Sequence, residues 1–91
     1  MNVIHDKNNN TFYIEIDGKR ALTHYTVVDK KVIDFDHTFV PPEFRSKGIA
    51  RLLFEEIVKY LEEHNIKVLV SCWYAERFFN DEKYRKYLAG I

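Results

Sequence analysis

The sequence predicts one α+β domain: an antiparallel meander of about four strands, then a helix, a buried parallel strand and closing helices. Three observations support this fold class. Extended runs joined by short polar turns fill the first 40 residues. The apolar period then changes from 2 to 3.6 residues after Gly48. A continuous apolar run follows the predicted helix. A length of 91 residues suits a single small domain, and we assign residues 1–91 to it.

Four runs of alternating or β-branched residues predict the strands of the meander. Asp17-Gly18 separates the second run from the third and is a strong signal for a two-residue hairpin turn. Polar turns separate the other runs, so sequential strands should pair antiparallel. The predicted strands cover residues 3–5, 12–16, 21–28 and 32–40.

The second half of the chain predicts helices around one further strand. Pro41-Pro42 ends the meander, because proline fits neither a strand interior nor a helix interior. An amphipathic pattern predicts a helix from about Lys47 to about His64. Residues 67–72 predict a strand buried on both faces and parallel to the strand before the helix. Residues 74–88 predict two short helices broken near residues 80–81.

Composition narrows the function classes. Fourteen basic and fourteen acidic residues give a net charge of zero, which argues against a general nucleic-acid binder. The single cysteine excludes an internal disulfide and a multi-cysteine zinc site, and no His/Asp/Glu cluster has metal-ligand spacing. No apolar run approaches the roughly 20 residues that cross a membrane, and the first residues lack a signal-peptide pattern. We therefore expect a cytoplasmic protein with no membrane or nucleic-acid partner.

The segment between the last meander strand and the helix suits an anion. A helix N-terminus presents unpaired N–H groups and a partial positive charge. Gly48 and Ala50 leave room for a phosphate there, and Arg45 and Lys47 add positive charge. The segment lacks the motifs of a P-loop and of a dinucleotide fingerprint, which disfavours a nucleoside triphosphate or a nicotinamide. As an alternative, Arg45 and Gly48 belong to a loop that only caps the helix.

Arg45-x-x-Gly48-x-Ala50 resembles the Gln/Arg-x-x-Gly-x-Gly/Ala signature of the GNAT superfamily of acyl-CoA N-acyltransferases. It lies at the strand-to-helix turn that follows a meander, as in that superfamily. The chain lacks the N-terminal helix pair and the last two strands of larger members, so a minimal GNAT-like fold is expected. Three further segments resemble a very small single-domain subfamily: His37-Thr38-x-Val40-Pro41, Ser71-Cys72-x-Tyr74 and Asp81-Glu82-x-Tyr84.

The resemblance implies acetyl-CoA (coenzyme A) as the cofactor. Backbone N–H groups from about Arg45 to Ala50 would bind the CoA pyrophosphate, and the end of the fourth strand would bind the pantetheine arm. The acyl thioester would lie between the strand ending at Val40 and the strand ending at Cys72. The implied cofactor-binding residues are Thr38, Phe39, Val40, Arg45, Ser46, Lys47, Gly48, Ile49 and Ala50.

Two candidate catalytic residues would flank that thioester. A neutral His37 imidazole could take a proton from the attacking amine. Strand alternation places His37 on the same face as Phe35 and Phe39, so a buried core histidine is the alternative. Cys72 could accept the acyl group before the amine does. Its alternative role is that of a small apolar side chain in the core.

Two tyrosines, Tyr74 and Tyr84, are further candidates. The resemblance implies that a tyrosine after the last strand protonates the departing CoA thiolate. The alternative for both is the aromatic core of a small domain.

The resemblance implies an acyl-CoA-dependent N-acyltransferase that moves an acetyl group to an amine on a small molecule or an exposed lysine. The alternative function is a non-catalytic acyl-CoA-binding or sensing module, because the elements that shape the acceptor side are absent. An exposed sheet edge in so small a domain is compatible with a homodimer.

Overall fold

The computed structural model describes residues 2–90, which form a five-stranded sheet with its strands in chain order. The first four strands pair antiparallel, and the fifth lies parallel to the fourth. This order confirms the predicted meander and crossover. The strands are β1 (Ile4–Asp6), β2 (Thr11–Ile16), β3 (Lys19–Asp29), β4 (Val32–Phe39) and β5 (Lys67–Val70).

Two α-helices follow the meander, α1 (Ile49–His64) and α2 (Trp73–Phe79). They pack on one face of the sheet, where Phe35, Leu53 and Phe79 have no solvent exposure. Neither is long and apolar enough to cross a membrane, and the same holds for every helical segment of residues 2–90. Three single 3₁₀ turns complete the structure, at Lys7–Asn9, Pro42–Phe44 and Arg85–Tyr87.

The other face of the sheet, which we call the open face, carries half-buried and exposed side chains. Side chains of β3 alternate between the two faces. The helices cover Ala21, Thr23 and Tyr25, and the side chains that alternate with them, such as Leu22, point to the open face. The sheet therefore has one core face and one face that solvent reaches.

A bulge in β4 changes which side chains reach each face. His24 lies opposite His37, but Tyr25 lies opposite Phe35, so Asp36 is an extra residue in β4. Phe35 is fully buried, whereas His37 and Phe39 are exposed. The expectation that His37 shares a face with Phe35 is therefore wrong, because the bulge reverses the alternation after Phe35.

β4 and β5 separate just beyond this bulge. Their ladder runs from Val32↔Lys67 to Phe35↔Val70. The Phe35 carbonyl then accepts hydrogen bonds from the amides of both Ser71 and Cys72, at 3.0 and 3.1 Å. Residues 36–39 of β4 consequently have β3 on one side and no strand on the other.

The predicted strand at residues 67–72 differs from β5 in length and burial. β5 ends at Val70, because Ser71 and Cys72 turn toward Phe35. Leu69 is 38% exposed, so the expectation of burial on both faces is wrong. The helices cover only the core face of β5, and Leu69 points to the open face.

The helix begins two residues later than the sequence predicts. Ser46 and Gly48 have φ angles of 68° and 72°, in the left-handed region, so the α-helical backbone cannot include them. Asn65 ends α1 with a φ of 56°, as expected. The predicted break near residues 80–81 also agrees with the end of α2. The second closing helix is a single 3₁₀ turn.

Candidate functional site

A cleft of about 370 Å³ lies between the loop after β4, the N-terminus of α1 and α2. Three of the predicted cofactor-binding residues do not line it: Thr38, Phe39 and Lys47. The other six do: Val40, Arg45, Ser46, Gly48, Ile49 and Ala50. A second cleft, of about 320 Å³, lies beside His5 and Tyr60 and contains none of the predicted site residues.

The α1 N-terminus supplies free hydrogen-bond donors at this cleft. The first helical hydrogen bond runs from the Leu52 amide to the Gly48 carbonyl, at 3.0 Å. Within residues 2–90 the three amides before Leu52, those of residues 49–51, have no acceptor, and no side chain caps the helix. Such a terminus carries about half a positive charge. It therefore suits an anionic group such as a phosphate.

Gly48 keeps this terminus open. Its positive φ favours glycine, and a Cβ built there would have no heavy atom within 4 Å. The space beside the Gly48 Cα is therefore open, and a bound group could approach the backbone there closely.

Arg45 acts through its side chain rather than its amide. Its amide donates to the Pro42 carbonyl at 3.3 Å, which closes the 3₁₀ turn. Its Nε donates to the Val40 carbonyl at 3.1 Å and ties the loop to the end of β4. The sequence predicted that the free amides begin at about Arg45. In the structure the Arg45 amide is bonded, so the free amides begin after it.

The cleft also holds residues that sequence reasoning missed, namely Arg51, Trp73 and Arg77. Trp73 is 60% exposed, and its ring stacks on Tyr74 with centroids 4.1 Å apart. Trp73 and Arg77 are four residues apart and so share one side of α2. That spacing, with a large aromatic residue just after the apolar run, was a signal available in the sequence.

A chain of hydrogen bonds crosses the gap between the separating strands. Thr23 Oγ1 donates to the His37 carbonyl at 3.2 Å, and Thr38 Oγ1 lies 2.8 Å from Thr23 Oγ1. Thr38 Oγ1 also lies 3.2 Å from Cys72 Sγ. The contacts therefore place Cys72 Sγ beside the Thr38 hydroxyl at the gap.

The four predicted catalytic side chains do not come together in one constellation. Tyr74 lines the cleft and Cys72 lies at the strand gap. His37 points to the open face, on the opposite side of β4 from Thr38. Tyr84 is buried in the core, where its ring stacks on Phe78 at 4.3 Å, and it does not line the cleft.

The chain is similar to known proteins over its whole length or nearly so. Protein NATD1 of Xenopus tropicalis is 32% identical over 93 residues, which cover all of this chain and 85% of that protein. The human NATD1 is 30% identical, with 82% of its length covered. An NMR solution structure of a GCN5-like protein from Staphylococcus aureus superposes with a TM-score of 0.76 at 29% identity. That match covers 99% of this chain and 89% of the other.

The family assignment agrees with the residues that suggested it. The model of the family described as GCN5-related N-acetyl-transferase matches residues 11–89, which include β2 to β5 and both helices. The chain therefore belongs to the GCN5-related N-acetyltransferase family.

Proposed function

We propose that this protein is an acyl-CoA-dependent N-acyltransferase that transfers an acetyl group from acetyl-CoA to an amine. The observation that carries the proposal is the set of partner-free amides at the start of α1, which open into a cleft beside separating strands. Membership of the N-acetyltransferase family supports this choice of reaction.

The CoA pyrophosphate would bind at the α1 N-terminus. The amides of residues 49–51 would donate to its oxygens, and the space in front of Gly48 would admit it. Arg45, Arg51 and Arg77 line the same cleft, and their positive charges would offset the negative charge of the phosphates. The exposed Trp73 ring would offer an aromatic surface next to them.

The pantetheine arm would extend along β4 toward the gap. Residues 36–39 have no strand on the β5 side, so their backbone groups there are available to the two amides of the arm. This path would bring the thioester near Thr38 and Cys72.

The transfer itself would need positioning more than a covalent enzyme intermediate. The amine nitrogen attacks the thioester carbonyl carbon, the C–N bond forms, and the C–S bond breaks. The products are an amide and CoA. Holding both reactants at the gap would supply much of the rate enhancement. In the alternative two-step route, Cys72, whose Sγ lies 3.2 Å from Thr38 Oγ1, would accept the acyl group before the amine does.

Two variants test the cofactor site. Gly48→Glu places a carboxylate where the phosphate would bind, and Arg45→Glu reverses a charge beside it. Lys30→Glu is the matched control, because Lys30 lies in the turn between β3 and β4, at the other end of β4. Acetyl-CoA should raise the melting temperature of the parent and the control in a saturable way. Neither site variant should respond. Equal responses in all four proteins would contradict the proposal.

The alternative function, acyl-CoA binding without transfer, is favoured by one observation. The predicted catalytic residues lie on different sides of the sheet, and Tyr84 is in the core. A sensing module would show the same stabilisation by acetyl-CoA but would release no CoA with any amine. A transferase would release CoA in proportion to acetylated amine, which mass spectrometry of the product measures.

A further inference from the structure

A polar cluster lies on the open face at the β4 bulge. It consists of His24 and Thr26 on β3 and Asp36 and His37 on β4, and we call it the bulge cluster. A bulge places two consecutive residues opposite one, and here Asp36 and His37 both lie on the side of the sheet away from α1.

Two members of the bulge cluster form an oriented carboxylate–imidazole pair. Asp36 Oδ1 lies 2.7 Å from His24 Nδ1, and Thr26 Oγ1 donates to Asp36 Oδ2. Burial raises the pKa of Asp36, but hydrogen bonds from Thr26 and His24 outweigh it, so this pKa lies below its ordinary value. Asp36 is therefore a carboxylate at neutral pH.

The pair fixes the tautomer of His24. A carboxylate only accepts hydrogen bonds, so Nδ1 of a neutral His24 ring carries the proton. Nε2 then bears a lone pair, and among residues 2–90 no side chain or backbone group bonds to it. The His24 side chain is 41% exposed, so a solute on the open face can reach this nitrogen.

Asp36 of the pair borders the gap between β4 and β5, and His24 lies on β3, on the other side of β4 from the gap. Asp36 directly follows Phe35, the last residue of β4 that pairs with β5. Two residues further on, Thr38 contacts Cys72 across the gap from the core side. A thioester held in the gap would thus have α1 on its core side, and on the open face it would have the β4 members of the bulge cluster beside it and the β3 members beyond them.

We propose that the acceptor amine reaches the thioester from the open face, and that His24 Nε2 accepts its proton while Asp36 positions the ring. This assignment rests on the proposed acetyl transfer. The ammonium gives one proton to His24 and attacks as the amine. A second proton leaves the nitrogen as the C–N bond forms, and the departing CoA thiolate takes up one proton. His24 then releases to solvent the proton that Nε2 accepted from the ammonium.

The surroundings favour a cationic acceptor. The Asp36 carboxylate lies in the cluster, and Asp34 lies on the same face, where its oxygens accept from the Ser71 amide and hydroxyl at 3.2 and 2.7 Å. Besides His24 and Asp36, His37 is the third titratable group of the bulge cluster. On the β2 side, His24 is paired with Thr11, which carries no charge. We therefore assign the acceptor to the primary amines that are ammonium ions in solution.

His37 is the competing proton acceptor, because it lies opposite His24 and is exposed. Within residues 2–90 its ring has no hydrogen-bond partner that would orient it. An oriented imidazole is the better base, since its lone pair is held in one direction. A comparison of the two histidines is therefore the decisive test.

The experiment measures CoA release and amine acetylation for the parent, His24→Gln, His37→Gln and the control His64→Gln. His64 lies at the far end of α1. We expect His24→Gln to lower kcat by about 10² to 10⁴-fold, with the KM for acetyl-CoA and the melting temperature unchanged. His64→Gln should match the parent, and His37→Gln should lose less than His24→Gln.

Two further variants separate chemistry from folding. His24→Ala should regain part of its kcat when free imidazole is added, because the small base can occupy the vacated space. Asp36→Asn should lower kcat at unchanged acetyl-CoA KM, and Asp36→Glu should restore part of it, as expected for a positioning carboxylate.

Three results would overturn the assignment. A parent-like kcat in His24→Gln would overturn the role of His24 and leave the proposed acetyl transfer intact. A larger loss of kcat in His37→Gln than in His24→Gln would do the same. A parent that is stabilised by acetyl-CoA but acetylates none of a panel of primary amines would overturn the proposed transfer and this assignment together.

Discussion

His5 shows how one side chain can make stability depend on pH. Its ring stacks on Phe12 with centroids 4.0 Å apart, and Nε2 lies 2.8 Å from the Tyr25 hydroxyl. Burial lowers the pKa of His5 below 6.5, and the nearby Lys7 lowers it further. The unfolded chain therefore binds more protons at this site than the folded protein does in mildly acidic solution.

The folded protein is therefore more stable when His5 is neutral. The stabilisation from a neutral His5 is fully present above pH 6.5 and is lost as the pH falls through the lowered pKa. We expect the free energy of unfolding to decrease between pH 7 and 5, and His5→Phe to reduce that decrease. Urea unfolding at several pH values measures both. An equal slope in parent and variant would contradict the role given to His5. The pKa values of three carboxyl groups, those of Asp6, Asp36 and Glu62, are also lowered in the folded protein. These groups reduce the free energy of unfolding only at more acidic pH, where they become protonated.

At the scale of elements, one carboxylate of β4 holds the end of β5 in place. Asp34 accepts hydrogen bonds from both the amide and the hydroxyl of Ser71, where the two strands begin to separate. Asp34→Ala should lower the free energy of unfolding by about 1–2 kcal/mol. Hydrogen bonds to charged groups contribute about 1.5–3 kcal/mol each, and solvent weakens the exposed bonds of Asp34. It should also weaken acetyl-CoA binding, because the gap loses its fixed width.

Glu63→Ala is the matched control, since it removes an exposed carboxylate from α1. Thermal melts with and without acetyl-CoA measure both effects. An unchanged melt and an unchanged acetyl-CoA response in Asp34→Ala would show that Ser71 is held by other contacts.

The order of elements could be predicted from the sequence, whereas the local geometry at the site could not. Short polar turns and the change of apolar period are local signals, so they fixed the meander and the crossover. The bulge is different, because nothing in Asp36-His37 marks one residue as extra; the insertion depends on pairing with β3. His24 was consequently missed, since its importance arises only from its contact with Asp36.

The start of α1 shows the same limit. Gly48 was recognised as a position for a phosphate, but the left-handed conformation of Ser46 was not expected, because serine has no preference for it. Arg51 and Arg77 were not predicted as site residues, because only the packing of α2 beside α1 brings them to one cleft.

At the scale of the whole molecule, a neutral net charge conceals an uneven distribution. Lysine and arginine equal aspartate and glutamate in number, yet three arginines line the cleft, and Asp34 and Asp36 lie on the open face beside the gap. The two substrates would therefore meet opposite charges on opposite sides of the sheet. Acetyl-CoA affinity should fall between 0.1 and 1 M salt, as the Debye length shortens from about 10 to about 3 Å.

Arg77→Gln should reduce that salt dependence, and Lys30→Gln should leave it unchanged. Binding titrations at four salt concentrations measure the slopes. Equal slopes in both variants would show that the arginine-lined cleft does not attract the cofactor.

The edges of the sheet bear on assembly. The outer edge of β5 is paired with the C-terminal segment, where the Ala89 amide donates to the Val68 carbonyl at 2.8 Å. The other edge is β1, which has three residues. A homodimer stays a prediction, and β1 is the edge through which a second copy could extend the sheet.

An NMR titration of ¹⁵N-labelled protein with acetyl-CoA tests the central claim most directly, because it reports on each amide separately. We predict saturable shifts in the amides of residues 46–51 and of Ser71 and Cys72, and small changes around His5 and Tyr60. Shifts confined to the second cleft, or none at millimolar acetyl-CoA, would contradict the acyl-CoA site and the function built on it.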